Sequence, residues 1–81
     1  MVPVQSKMAR AATGWRMEDV AEHAQVTSGT VVRFEKGKTL KPRTVADIQR
    51  AYESAGIEFL GGEAPGVRLH TKPAPAKGKK R

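Results

Sequence analysis

Apolar residues recur along this chain at two different spacings, and the change between them divides it. From Gln5 to Gly56 they return every three or four residues, as on one side of a helix; from Ile57 to His70 they alternate. Residues 5–13, QSKMARAAT, are rich in alanine and set Met8, Ala11, Ala12 and then Trp15 at helical spacing, with Gly14 as a stop. They predict a first helix. Residues 17–24, MEDVAEHA, open with Glu18 and Asp19, where the helix dipole favours acids, and gather Val20, Ala21 and Ala24 on one side. Thr27 or Ser28 caps a third helix that runs to Lys36 and stops at Gly37.

GKTLKPR then reads as an extended basic loop, because Pro42 keeps Lys41 out of helical angles. Thr44 is expected to cap a fourth helix, VADIQRAYESA, with Val45, Ile48, Tyr52 and Ala55 in phase until Gly56. IEFL and GVRLH flank the turn-rich GGEAPG and predict a β-hairpin over 57–70. Its alternation puts Ile57, Phe59, Val67 and Leu69 on one face, toward the fourth helix. The third helix does not divide so simply. Val31 and Phe34 share an inward face, whereas Ser28, Gly29, Val32 and Arg33 look another way.

A chain of 81 residues supports one domain with a thin core, so function is expected on its surface. The formal charge of +7 is uneven: Lys72, Lys77, Lys79, Lys80 and Arg81 stand in TKPAPAKGKKR without an acid. Residues 1–70 thus form the domain, and 71–81 a disordered basic tail that reads as an electrostatic tether. Within the domain, Arg33, Lys36, Lys38, Lys41 and Arg43 are opposed in their span by Glu35 alone. A basic strip beside a short helix points to a polyanion, above all nucleic acid. There is no cysteine, and His23 and His70 stand far apart, so no metal or cofactor site is expected. Glu18, Asp19 and Glu22 fit the outer side of a helix, and no partnered nucleophile or phosphate loop accompanies them, which argues against an enzyme. With no apolar run near the ~18 residues of a membrane span and no signal-like start, a soluble cytoplasmic protein is expected.

Two short helices joined by a tight turn, in EDVAEHAQVTSGTVVRFEKGK, resemble the helix-turn-helix of the phage repressor and Cro (XRE-like) family of bacterial and phage regulators. The resemblance covers about residues 5–56. It implies a mainly α, lambda-repressor-like fold in which the third helix enters the major groove of double-stranded DNA, in the nucleoid or a phage-infected cell. Ser28, Gly29 and Arg33 match base-reading positions, with Val32 beside them; Arg16, Thr27, Lys38 and Lys41 match backbone contacts, and Arg43 a position near the minor groove. Arg10 and Glu35 match a structural ion pair. The chain departs from the family at three places: Arg16 and Met17 replace the usual Ser or Thr followed by Gln, Gln25 replaces the turn glycine, and the hairpin replaces a fifth helix.

The resulting expectation is a DNA-binding transcriptional regulator, a repressor, acting as a homodimer joined through Phe59, Leu60, Val67 and Leu69 of the hairpin. An antitoxin-type protein that holds a protein partner and uses DNA binding for autoregulation is the alternative. RNA binding is disfavoured, because the helix-turn-helix reads duplex DNA.

Overall fold

Pro3 occupies the first position of α1 (Pro3–Thr13), where its fixed φ suits a helix and the missing amide hydrogen has no helical partner to lose. In the computed structural model, which describes residues 1–70, α1 therefore starts ahead of the alanine-rich stretch. The tail read as disordered, 71–81, lies outside the described residues. The buried face of α1 also differs from the sequence expectation. Gln5, Ser6 and Ala9 point inward, Ala11 is exposed and Met8 is half-buried. Hydrogen-bond partners, rather than side-chain hydrophobicity, set this face.

α2 (Met17–Ala24) is capped at Arg16, whose backbone N–H donates to the Asp19 carboxylate at 2.9 Å. An arginine side chain has no acceptor to offer the first turn in return, so half of the usual reciprocal cap is missing. The helix ends on Gln25 at φ 61 and ψ 44, the only non-glycine residue with positive φ among the described residues. Val26 N–H returns to Ala21 O at 2.9 Å, closing a left-handed C-cap. α3 (Ser28–Glu35) begins on Thr27, whose Oγ1 accepts the Thr30 N–H at 3.2 Å. It ends on Gly37 at φ 87, with Lys38 N–H donating to Arg33 O at 3.0 Å.

α4 spans Pro42–Ser54, so Thr44 is not its cap. Lys41, extended at φ −62 and ψ 141, is the N-cap, because proline forces its predecessor out of helical angles and itself fits the first helical position. Gly56, at φ 97, turns the chain into β1 (Ile57–Leu60), which pairs antiparallel with β2 (Gly66–Leu69) so that Ile57 faces Leu69 and Phe59 faces Val67. The hairpin does not rest on α4 alone, as the alternation suggested. β1 packs on α4, while β2 lies along α1.

Val20, Val31, Ile48, Tyr52 and Ala9 are fully enclosed, with Phe34 and Ile57 beside them. Phe59 and Val67 pack onto this core from the hairpin. Trp15 is half-buried, stacked on His23 with ring centres 4.3 Å apart and on Tyr52 at 5.9 Å.

Candidate nucleic-acid interface

α3 turns Val31 and Phe34 into the core, which leaves its other side to solvent. Ser28, Gly29 and Arg33 are exposed there, and Thr30 and Val32 are half-buried. A groove beside this face is lined by Val26, Thr27, Thr30, Arg33, Leu40 and Lys41. It brings Thr27, Arg33 and Lys41 together, although they come from a cap, a helix and a loop. Lys41 and Arg43 also line a neighbouring cleft with Gln25 and Arg50. Lys38 is exposed just past α3, and Arg16 sits at the start of α2, outside the groove, with its side chain 80% exposed. Among the described residues, Arg33, Lys38, Lys41 and Arg43 have no carboxylate within ion-pair distance. Arg33, Lys41 and Arg43 stand at these two adjoining openings, where the one acid in the lining, Asp47, is paired with Arg50.

The far end of α3 is held from inside. Glu35, its last residue, is 6% exposed and receives a bidentate fork from Arg10, with Nε to Oε2 and Nη2 to Oε1 both 2.7 Å. Ser6 Oγ donates to Oε2 at 2.7 Å. Because a carboxylate only accepts, the single Ser6 hydroxyl proton is used there, and the one proton of the Tyr52 hydroxyl is shared between Ser6 Oγ at 2.8 Å and the Ser6 carbonyl oxygen at 3.2 Å. Burial alone pushes the Glu35 carboxyl up, but the hydrogen bonds from Arg10 and Ser6 and the Arg10 charge outweigh it and hold the group below the usual carboxylate range. Burial pushes the Tyr52 hydroxyl up to about 12. α1 and α3 are thus joined through one buried carboxylate, and α4 is tied to the same network by Tyr52 through Ser6.

Two helices joined by a short left-handed turn, the second capped, anchored and free on its outer face, match a family model described as a helix-turn-helix domain over residues 7–59. The chain belongs to the helix-turn-helix domain family. No curated protein was found to match it. A DNA-binding helix-turn-helix domain thus runs from within α1 to β1, and the match stops at Phe59, inside the hairpin.

In this helix-turn-helix domain the hairpin is fixed to α1 by Gln5. Its Nε2 donates to Leu60 O at 2.7 Å and to Gly66 O at 2.9 Å, while its Oε1 accepts the Val2 N–H at 2.8 Å. Of the hairpin residues considered for pairing two copies, Phe59 and Val67 face their own core, Leu60 is half-buried, and Leu69 is 41% exposed. The bond from His70 N–H to Gly56 O, 2.8 Å, fixes the alternation of the ladder, so the backbone groups of Phe59, Val67 and Leu69 point to its two outer edges. On the outer face Glu58 meets Arg68 at 3.3 Å and His70 at 2.8 Å. Sequence reasoning missed Gln5 and Ser6 as positioning residues, and gave Thr30 no part in the interface. Ser6 alone left a signal, standing one helical turn before Arg10 and so sharing its face.

Among the described residues no group of acids and histidines is placed to hold a metal ion, and no helix is long and apolar enough to cross a membrane.

Proposed function

We propose that this helix-turn-helix protein is a sequence-specific regulator of the phage repressor and Cro type, which places α3 in the major groove of double-stranded DNA and represses by occupying its operator. The observation that carries this reading is the outer face of α3, rigidly anchored through Glu35 and bordered by cations without acidic partners. Arg33 has the fork of donors that fits guanine O6 and N7, Val32 suits a thymine methyl, and Ser28 reaches a base edge from the first turn. Gly29 lets the helix backbone approach closely. Arg16, Thr27, Lys38 and Lys41 hold phosphates, with Arg43 toward the minor groove.

One module covers little DNA, and two copies on adjacent half-sites are the usual remedy in this fold. We assign the pairing to the hairpin, where the outward backbone groups of Phe59, Val67 and Leu69 have no hydrogen-bond partner among the described residues. Selection from a randomised duplex library with the full-length protein tests both parts. A two-fold symmetric motif is the expected outcome; recovery of unrelated sequences with no shared motif would sink the specific reading, and a single asymmetric half-site the dimeric one.

A further inference from the structure

The Arg33 guanidinium does not project freely from α3. It lies back along the helix, with Nη2 3.4 Å from Thr30 Oγ1 and Nη1 4.0 Å from the point where a side chain at Gly29 would begin. Thr30 Oγ1 is in turn 2.9 Å from Thr27 Oγ1, the same atom that accepts the Thr30 N–H at the helix cap. The direction of this chain follows from its members. Arginine only donates, so Thr30 Oγ1 accepts from Arg33 and its own proton is left for Thr27 Oγ1. Thr30 is therefore held at one end by the cap and holds Arg33 at the other.

We infer that Thr30 is a positioning residue for base recognition: through its hydroxyl it keeps the Arg33 guanidinium in one orientation over the first turn of α3. A free arginine side chain samples many rotamers, and ordering it on a base edge opposes binding; an arginine already directed by a neighbour loses less freedom. A methyl group at Gly29 would stand in ordinary contact with Arg33 Nη1 and with Thr27 Oγ1 at 3.8 Å, so this pose of Arg33 does not depend on a glycine there. Specificity at one base pair then belongs to two residues, Thr30 and Arg33, of which one touches the base. This rests on the reading that α3 enters the major groove.

The test uses the full-length protein with two probes, the duplex enriched by selection and a scrambled duplex of the same length and composition. Thr30→Val keeps the shape of the side chain and removes its hydroxyl. Affinity for the selected duplex is expected to fall about fivefold, the loss of one modest hydrogen bond, with weaker preference for guanine at the Arg33 position and no change on the scrambled duplex. Thr30→Ser restores binding. In an Arg33→Ala background Thr30→Val has no further effect. A loss that persists in that background means the hydroxyl touches DNA itself, and an equal loss on both duplexes with a lowered melting temperature means it only supports the helix; either result overturns the inference. If Arg33→Ala relaxes base preference and Thr30→Val does not, the positioning role alone fails. If Arg33→Ala leaves base preference intact, the reading of α3 fails and this inference with it.

Discussion

Gln25 and Gly56 both end helices in the left-handed region, and the two positions respond oppositely to substitution. Gln25 is exposed, and among the described residues its side chain has no hydrogen-bond partner that would offset the steric conflict between Cβ and backbone at φ 61. Gln25→Gly is expected to raise stability by up to about 1 kcal/mol, the relief of strain exceeding the added freedom of glycine in the unfolded chain. Thermal melts check it, and a marked fall in melting temperature would reveal a role for the amide that the contacts do not show. Gly56 has no such latitude. A Cβ there would lie 2.9 Å from the His70 carbonyl oxygen, at φ 97, so Gly56→Ala is expected to cost more than about 2 kcal/mol and to loosen the hairpin first. Hydrogen exchange that rises throughout the molecule rather than in 57–70 would contradict that order.

At the scale of elements, the network that joins α1, α3 and α4 through Glu35, Ser6 and Tyr52 makes the fold sensitive to pH at both extremes. The folded-state value of Glu35 is lowered, so its contribution is complete above the ordinary glutamate value and is lost as pH falls through the lowered one. Tyr52 is raised to about 12, so the fold is undisturbed by it below the ordinary tyrosine value and loses stability as pH climbs from there toward 12. Denaturation followed against pH should show both limbs. Glu35→Gln should remove much of the acid limb and cost about 3 kcal/mol at neutral pH, the low end for a broken buried pair because Arg10 keeps a quarter of its surface in water. An acid limb of unchanged depth in the variant would place the sensitive carboxylate elsewhere.

The same junction shows what could be read without coordinates. The spans of α2 and α3 were legible because Thr27, Gly37 and the first-turn acids are local signals, and the left-handed residue between them, Gln25, stands where the family has a glycine. The start of α4 was missed although Pro42 was in view, since a proline that ends a loop and one that begins a helix impose the same restriction on Lys41. The inward face of α1 was illegible for a deeper reason. Gln5 and Ser6 are buried against partners 55 and 29 residues away, and no local pattern carries that information. Of the interface, the outer face of α3 could be traced from helical phase; the chain from Thr27 through Thr30 to Arg33 needed rotamers.

For the whole molecule, the hairpin and the reading surface belong to one body because Gln5 and Glu35 tie both to α1. An interface built on the hairpin would consequently set the spacing of two recognition helices and hence of the half-sites. Phe59 and Val67 are committed to the core, so the discriminating variant carries lysine at Leu60 and Leu69 instead. The double variant is expected to be monomeric by light scattering, with a melting temperature near that of the parent and weakened binding to a symmetric operator. A variant that stays dimeric excludes the hairpin as the interface.

The Gln5 carboxamide also has a consequence for the order of synthesis. α1 is made before the other elements of this domain, and its buried polar groups wait for Glu35, Tyr52, Leu60 and finally Gly66 to follow. A nascent chain that has made α2 and α3 still lacks what the inward face of α1 requires, and docking that face early would leave Gln5 without acceptors. Within this domain α1 is therefore made ahead of the residues that secure it. Any lesion near residues 60–66 is felt at residue 5.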